Sequence, residues 1–258
     1  MRPPTTFAIT PVNLDSALRY GRTIELFADI YRPDLSILEI GSGSAGITEF
    51  LRHRVTGVDA AFERTADRQS DLIDRVPGTA MHLPLQDGSY DVVLSMDMLE
   101  HTAPADRPRC FAEMLRVLRV HGRCIVTFPA DESGERLDRR LNDAFRKRYD
   151  IDHPWVIEHI NCGLPKTRDV VALVKEIGGS SVSIKVHKHL WGPAWWHGVH
   201  RFYTVGSDHP LVRTRLLTPR VAMLIFHAVK RLNFRPAYRS ILVIDKLGSS
   251  EVVGRRSM

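Results

Sequence analysis

Three glycines and an acid lie close together in residues 36–46. A short apolar run ends in Glu39, and Gly41, Gly43 and Gly46 follow it. Glycine lets the backbone turn sharply and brings its N–H groups close to a ligand. A helix predicted over residues 45–52 would direct its positive end to the same place. The stretch therefore suits an anionic or nucleotide-like cofactor.

A second acid, Asp59, ends the apolar run 55–59, about 20 residues after Glu39. In nucleotide-binding α/β folds a carboxylate at this place accepts hydrogen bonds from ribose hydroxyls. The glycine spacing also satisfies the G-x-G-x-x-G pattern of NAD-binding enzymes, so an oxidoreductase competes at this point. Two interpretations without a ligand stay open. The glycines would also suit a tight strand-to-helix turn, and Asp59 would suit the N-cap of a helix over residues 64–75.

The elements that must position these residues alternate between strands and helices over residues 35–130. Apolar runs predict strands at residues 36–40, 55–59, 90–96 and 123–128, with a shorter strand in 78–85. Helical spacing predicts helices at 13–31 and at 110–118, the second closed by His121 and Gly122, and a solvated charged helix at 60–76. This order predicts a parallel, doubly wound α/β sheet that binds its ligand at the carboxyl ends of its strands.

Composition limits the class of protein. With 258 residues and 43% hydrophobic content, the chain suits one globular domain with an appendage, or two small domains. Three cysteines, without a C-x-x-C pair, argue against a disulfide framework and a cysteine zinc site, and favour a reducing compartment. The sequence shows no leader and no apolar run long enough to span a bilayer, so we expect a cytoplasmic protein, at most peripheral to a membrane.

Charge is distributed unevenly along the chain. Residues 1–130 carry 14 Lys and Arg against 17 Asp and Glu, a net −3, whereas residues 131–258 carry 22 against 13, a net +9. The second half therefore suits an anionic partner, such as a phosphorylated small molecule, a lipid surface or RNA. Equally, the positive charge of the second half would serve only to keep the protein soluble, without any anionic partner.

Four motifs in order resemble those of class I S-adenosylmethionine-dependent methyltransferases of the type 11 group. They are Glu-Ile-Gly-Ser-Gly at 39–43, Asp59, Leu-Pro-Leu-Gln-Asp-Gly-Ser-Tyr-Asp-Val-Val at 83–93 and Met-Leu-Glu-His at 98–101. NAD-binding enzymes do not usually carry the later block, so the resemblance separates the two cofactors. It implies one Rossmann-like methyltransferase domain over residues 1–258, with a seven-stranded sheet whose last strand is antiparallel.

The resemblance also implies an organisation of that domain. Residues 35–130 would form the cofactor-binding core and residues 131–180 the substrate-side helices, including one at 167–177. The last two strands would lie at 182–186 and 240–244, separated by an insertion at 187–239.

S-adenosylmethionine is the cofactor that the resemblance implies. The glycine loop would pass under its methionine part, Glu39 would orient the loop and the amino group, and Asp59 would hold the ribose. The implied contacts are Glu39, Gly41, Ser42, Gly43, Asp59, Ala60, Ala80, Met81, Ser95 and Met96. Two positions depart from the family pattern: Ala45 replaces a glycine, and Thr79 stands where many members have an aspartate.

Methyl transfer is an in-line displacement, so the protein must mainly align the two reactants, exclude water and hold a hydroxyl acceptor deprotonated. His101 is the first catalytic candidate, since it would lie on the side from which the methyl group leaves. Glu158 and His159, with His153 beside them, are the further base candidates. For each of these residues a packing or hydrogen-bonding role is the alternative.

The insertion carries two further features. Residues 187–203 are rich in His and Trp, but their spacing matches no metal signature. We therefore expect no metal there, and interpret the cluster as core packing or as an aromatic wall for a sugar, lipid or ring acceptor. The pattern of residues 211–234 predicts an amphipathic basic helix. Such a helix would cover the active site, contact a membrane surface or form a dimer.

The sequence thus predicts a methyltransferase acting on a small-molecule, sugar or lipid acceptor, at oxygen, as a monomer or homodimer. The acceptor is expected to be anionic. An RNA methyltransferase is the alternative enzyme, although no RNA-binding module is recognisable. A catalytically silent cofactor-binding partner subunit is the alternative from another class.

Overall fold

The structure is a computed structural model, and it describes residues 14–65, 70–153, 156–188, 219–229 and 237–248. The helices in these residues are α1 (Leu14–Phe27), α2 (Arg107–Val117), α3 (Asp131–Tyr149), α4 (Val156–Cys162), α5 (Thr167–Gly178) and α6 (Pro219–Val229). The strands are β1 (Ile37–Ile40), β2 (Val55–Asp59), β3 (Ile73–Pro77), β4 (Tyr90–Met96), β5 (Leu118–Pro129), β6 (Val182–Lys188) and β7 (Arg239–Lys246).

The strands form one seven-stranded sheet in the order β3-β2-β1-β4-β5-β7-β6. β1 to β5 pair in parallel, and β7 runs antiparallel to both β5 and β6. β1 and β4 are buried along most of their length because helices cover both faces of the sheet. The fold is therefore the Rossmann-like α/β fold that the sequence predicts, including the antiparallel last strand.

The strand order reverses between β1 and β4, which is where ligands bind in open α/β sheets. Ile40 pairs with Ser95 at this point, so the carboxyl ends of the two strands lie side by side. The glycine loop after β1 and the segment after β4 consequently begin at the same edge of the sheet.

One layer of helices packs on each face of the sheet through apolar side chains. On one face, Tyr20, Ile24 and Phe27 of α1 pack in a cluster that includes Met223 of α6. On the other face, a second cluster joins α2 and α5 to the strands, with Phe111 and Val174 fully buried. α1 therefore lies directly over the strands whose ends carry the glycine loop.

The third strand is not where the sequence predicts it. Residues 73–77 form β3 at the sheet edge, within the segment predicted as a charged helix, and residues 78–85 are turns with an isolated bridge between Thr79 and His82. An edge strand buries few side chains: Ile73 is buried, whereas Asp74 and Arg75 are exposed. The exposed charges hide the strand pattern in the sequence.

Two helix predictions also need correction. The segment after the glycine loop forms only a 3-10 turn, Gly46–Glu49, so no full helix directs its positive end at a ligand. α2 ends at Val117 rather than at His121 and Gly122, because β5 begins at once at Leu118. His121 has a positive φ of 65° within β5.

The second half matches its predicted elements within about two residues at α5, β6 and β7. Only residues 219–229 of the predicted basic helix are described; they form α6, where Met223 is buried and Val221 and Leu224 are exposed. The His- and Trp-rich residues 189–203 lie outside the described residues. None of the described helices is both long and apolar enough to cross a membrane.

Candidate active site

The glycine loop depends on glycine for its backbone conformation. Gly41, Gly43 and Gly46 have φ values of 73°, 55° and 50°, in the left-handed region. At Gly46 a Cβ atom would lie 2.2 Å from Oε2 of Glu39, so only glycine fits beside the carboxylate. The loop and the acid that ends β1 are therefore one packed unit.

Glu39 is fully buried beneath this loop. The hydroxyl of Tyr20 in α1 donates to its Oε1 at 2.7 Å, and the backbone N–H of Ile47 donates to its Oε2 at 2.7 Å. Burial raises the pKa of Glu39 to about 7, against the lowering effect of these two hydrogen bonds. The sequence predicts that Glu39 orients the loop, but nothing in it indicates the contribution of Tyr20.

Asp59 ends β2 and holds the other side of the loop. The N–H of Gly43 donates to its Oδ2 at 2.8 Å, and the N–H of Ala61 donates to its Oδ1 at 2.8 Å. Asp59 is half-buried, and an ionised carboxylate oxygen can accept a further hydrogen bond. The geometry thus leaves acceptor capacity for ribose hydroxyls.

The remaining residues of the predicted cofactor set lie in or next to the same strand ends. Ser42 is buried, and its hydroxyl donates to the carbonyl of Gly43 at 2.9 Å. Ser95 near the end of β4 is fully buried, and its Oγ has no hydrogen-bond partner within the described part of the chain. The sulfur of Met96 accepts from Thr23, whereas Ala60, Ala80 and Met81 are partly or largely exposed.

The segment after β4 connects the loop to a group of titratable side chains. Met98 packs against Gly41, where an added Cβ would lie 3.1 Å from the Met98 side chain. A 3-10 turn, Leu99–His101, follows, and the N–H of His101 donates to the carbonyl of Met98 at 3.1 Å. Gly41 and His101 are thereby joined through one rigid turn.

His101 meets Glu158 and His159, which lie on α4. The Nδ1–H of His101 donates to Oε2 of Glu158 at 2.7 Å, and the Nε2 atoms of His101 and His159 are 3.3 Å apart. The two rings meet edge to face, with centroids 4.7 Å apart. The structure therefore brings together the three residues that the sequence singles out as catalytic candidates.

Asp138 of α3 completes this group. It is buried, and it accepts from Nδ1–H of His159 at 3.0 Å and from the hydroxyl of Tyr238 at 2.6 Å. A cleft beside it is lined by residues of α3 and α4 that include Arg139 and His159. Sequence reasoning missed Asp138 because the charges of α3 suggest only a solvated helix. We call Glu100, His101, Asp138, Glu158 and His159 the histidine cluster.

Glu100 belongs to the same group but has a different environment. Its side chain is buried, and neither of its carboxylate oxygens accepts a hydrogen bond from another of the described residues. One ligand atom each from Glu100, His101 and His159 lies within 4.8 Å of the others. Burial, together with the nearby charge of Asp97, raises the pKa of Glu100 well above its ordinary value. Burial and His159 lower the pKa of His101.

Asp97 forms charged hydrogen bonds next to the histidine cluster. It accepts from Arg239 of β7 at 2.6 Å, from Arg19 of α1 at 3.2 Å and from the hydroxyl of Thr127 at 2.8 Å. Although burial opposes ionisation, the two guanidinium groups hold the pKa of Asp97 well below its usual range. Asp97 thus ties α1, β4, β5 and β7 together beneath the histidine cluster.

His153, the other base candidate, has a structural role. The N–H of Val156 donates to its Nδ1 at 3.3 Å, and its own N–H donates to Oδ1 of Asn142 at 2.7 Å. Its ring packs on Phe145 with centroids 4.8 Å apart. His153 therefore holds the start of α4 against α3 and lies outside the histidine cluster.

Comparison with known proteins places this geometry in context. Residues 38–126 match the family model described as "Methyltransferase domain". A sarcosine/dimethylglycine N-methyltransferase from Halorhodospira halochloris is 34% identical over 139 residues, which cover 47% of this chain and 49% of that protein. A demethylmenaquinone methyltransferase from Thermobifida fusca (strain YX) is 31% identical over 149 residues, covering 54% of this chain and 60% of that protein. The chain thus matches only about half of the length of these relatives.

Structural similarity to solved proteins covers more of the chain than the sequence similarity does. Phosphoethanolamine N-methyltransferase 2 from Haemonchus contortus, solved with S-adenosyl-L-methionine, aligns over 94% of this chain and 55% of its own, with a TM-score of 0.56 and 16% identity. Similarity at this level of identity concerns the fold, and it includes the second half of the chain, which the family model does not reach.

Proposed function

We propose that this chain transfers a methyl group from S-adenosylmethionine to oxygen of a small-molecule acceptor, because residues 38–126 match the model of a methyltransferase domain. The observation that carries the proposal is the connection between Gly41 of the loop and His101 through Met98. It joins the donor side of the site to a group that can accept a proton.

The cofactor is held by the residues around the glycine loop. Glu39 holds the glycine loop in its left-handed conformation. Asp59 accepts one hydrogen bond from the backbone at each of its oxygens, and its remaining lone pairs accept hydrogen bonds from the ribose hydroxyls. Ser95, whose buried Oγ has no hydrogen-bond partner among the described residues, is a further proposed contact. Ser42, Gly43, Ala60, Ala80, Met81 and Met96 complete the proposed contact set.

The histidine cluster acts on the acceptor. Glu158 and Asp138 each receive an Nδ1–H, which leaves the Nε2 atoms of His101 and His159, 3.3 Å apart, as the ring nitrogens that can take a proton. A hydroxyl needs such a group because its oxygen attacks the methyl carbon far better once the proton has left. The adjoining cleft is lined by Arg139 together with Glu135 and Asp138, so its charge does not select an anionic acceptor.

Nitrogen is the second candidate for the acceptor atom. The sarcosine/dimethylglycine relative and the Haemonchus protein are both N-methyltransferases by name. An amine must likewise lose a proton before it attacks, and the same imidazoles could receive it. The two candidates therefore differ in the acceptor and not in the donor side of the site.

The test is a transfer assay with isotopically labelled S-adenosylmethionine and separate pools of phenols, alcohols, carboxylic acids and amines. We expect a product that is one methyl group heavier in a hydroxyl-bearing pool, with the methyl position read by NMR. Products confined to the amine pool would replace oxygen by nitrogen. Cofactor binding without transfer to any pool would favour a catalytically silent partner subunit.

Calorimetry tests the donor side separately. We expect S-adenosylmethionine and S-adenosylhomocysteine to bind, NAD not to bind, and Asp59→Ala to weaken binding of both sulfur compounds. Asp71→Ala is the matched control, since Asp71 is exposed and precedes β3. Preferential binding of NAD would overturn the cofactor assignment.

A further inference from the structure

The two imidazoles of the histidine cluster bring their Nε2 atoms together. Each Nδ1–H is directed to a carboxylate, that of Glu158 for His101 and that of Asp138 for His159. The Nε2 atoms, which are the ring nitrogens not used in these bonds, lie 3.3 Å apart. Two nitrogens at this distance can share one cation, either a proton or a metal ion.

Glu100 lies at the same point. It is only 1% exposed, and both of its oxygens lack a hydrogen-bond partner from other residues of the described ranges. A buried carboxyl group without such a partner has its oxygens available as ligands for a cation.

We propose that Glu100, His101 and His159 form a binding site for a divalent first-row transition-metal ion. The three ligand atoms lie within 4.8 Å of one another. Metal–nitrogen bonds of about 2.0–2.1 Å at a tetrahedral angle separate two nitrogens by about 3.3–3.4 Å, which agrees with the separation of the two Nε2 atoms.

The surroundings of the histidines are those of metal ligands. Imidazoles that bind metals commonly donate their second N–H to a carboxylate, which fixes the tautomer and makes the ligating nitrogen more basic. Glu158 and Asp138 hold His101 and His159 in this manner, and Tyr238 in turn donates to Asp138. Two histidines and one carboxylate suit Zn²⁺, Fe²⁺, Co²⁺ or Mn²⁺ better than Ca²⁺ or Mg²⁺.

Three protein ligands leave coordination positions for water or for an oxygen of the acceptor. With the ion bound, the Nε2 atoms of His101 and His159 would no longer take the proton; an acceptor hydroxyl bound to the ion would instead release its proton to solvent at lower pH, because the cation stabilises the resulting oxygen anion. This inference goes beyond the proposed function, since metal binding can be measured without any methyl transfer.

The experiment uses the full chain with its purification tag removed, treated with a chelator and dialysed. Co²⁺ is titrated while its visible absorption bands are followed, and Zn²⁺ binding is measured by equilibrium dialysis. We expect one ion per chain and visible bands that report imidazole ligation. Absence of stoichiometric binding of both ions would overturn the proposal.

Variants identify the ligands. Glu100→Gln should lower Zn²⁺ affinity by at least about 10-fold, and Glu158→Gln, which acts through His101, by about 10–100-fold. Glu176→Gln on the exposed face of α5 and His82→Ala at an exposed turn are the controls, with no expected change. Unchanged affinity in Glu100→Gln would exclude this ligand set.

Glu100→Gln should fold like the wild type, so a loss of Zn²⁺ binding in this variant can be attributed to the missing ligand. Glu100→Gln replaces a buried carboxylate without partners by a neutral group of the same shape, so the metal-free variant should melt no lower than the wild type. We expect Zn²⁺ to raise the melting temperature of the wild type and to leave that of Glu100→Gln nearly unchanged. Equal stabilisation of both proteins by Zn²⁺ would contradict the site.

Discussion

The Nε2 atoms of His101 and His159 face each other at 3.3 Å, although the two residues come from opposite parts of the site. His101 follows β4 and is joined to the glycine loop through Met98, whereas His159 lies on α4 and is held by α3. The contact therefore links the cofactor-binding core to the helices that follow it. A substrate placed between these two parts would lie beside both rings.

Asp138→Asn tests whether the orientation of His159 matters. The amide NH₂ of asparagine can donate to Nδ1, which would move the imidazole proton to Nε2 and remove the lone pair from the cluster. We expect kcat for the acceptor found in the transfer assay to fall about 100-fold. Affinity for S-adenosylmethionine in calorimetry should stay the same, because Asp138 does not contact the loop.

Tyr238→Phe is the matched control for this change. It removes the hydroxyl that donates to the other oxygen of Asp138 and leaves the bond to His159 in place. Its kcat should fall much less than that of Asp138→Asn. If both variants lose the same activity, or Asp138→Asn loses none, the tautomer of His159 has no role in turnover.

Gly46→Ala tests the packing of the loop on Glu39. The new Cβ would lie 2.2 Å from Oε2 of Glu39, at a φ of 50°. A left-handed alanine costs about 1–2 kcal/mol by itself, and displacement of the carboxylate adds to this. We expect a loss of stability of about 3 kcal/mol or more in urea unfolding, with weaker binding of S-adenosylmethionine.

Gly88→Ala separates the conformational cost of a left-handed alanine from the cost of displacing the Glu39 carboxylate. Gly88 has a φ of 56°, but a Cβ there would meet no atom within 4 Å. This variant should lose only the conformational cost of about 1–2 kcal/mol and should bind the cofactor as the wild type does. Equal losses in the two variants would show that contact with Glu39 is unimportant.

The sequence predicts the features of this site that depend on local spacing. The glycines and Asp59 could be identified because a loop and a strand end are encoded by adjacent residues. Tyr20 and Asp138 could not, because their partners, Glu39 and Tyr238, lie 19 and 100 residues away and only the tertiary fold brings them together.

Secondary structure was hardest to predict where burial is slight. β3 carries Asp74 and Arg75 on exposed positions at the sheet edge, so its pattern resembles that of a solvated helix. The 3-10 turn after the loop could not be foreseen either, because the hydrogen bond from the N–H of Ile47 to Glu39 forms only once the loop has folded onto the buried carboxyl group. Buried strands such as β2 and β4 lie where the sequence predicts them.

Asp97→Asn tests the charged centre beneath the cluster. Asparagine tolerates the φ of 51° at this position, but it removes the carboxylate charge that pairs with the buried Arg239. Removing one member of a buried ion pair costs about 3–5 kcal/mol, which we expect to see in urea unfolding at pH 7. The loss should shrink at low pH as Asp97 itself becomes protonated.

Asp74→Asn is the corresponding surface change. Asp74 pairs with Arg54 at 2.6 Å, but both side chains are largely exposed. Exposed pairs contribute little to stability because solvent screens them, so this variant should be nearly as stable as the wild type. Similar losses from Asp97→Asn and Asp74→Asn would mean that Asp97 does not serve as a structural ion-pair centre.

Glu39→Gln tests the pH dependence that burial confers on the loop. Burial raises the pKa of Glu39 from 4.5 to about 7, so the folded protein binds a proton more tightly than the unfolded chain. Its contribution to stability is therefore fully present below pH 4.5 and is lost as pH rises through about 7. Glutamine cannot titrate, yet its amide can accept from Ile47 and donate to the hydroxyl oxygen of Tyr20.

We expect the stability of Glu39→Gln relative to the wild type to increase between pH 4.5 and 7, by an amount on the order of 3 kcal/mol, and to stay level above that range. Urea unfolding at a series of pH values measures this difference. Glu176→Gln on α5 serves as the exposed control. A constant difference for Glu39→Gln from pH 4 to 8 would show that folding does not raise the pKa of Glu39, and that its hydrogen bonds to Tyr20 and Ile47 offset its burial.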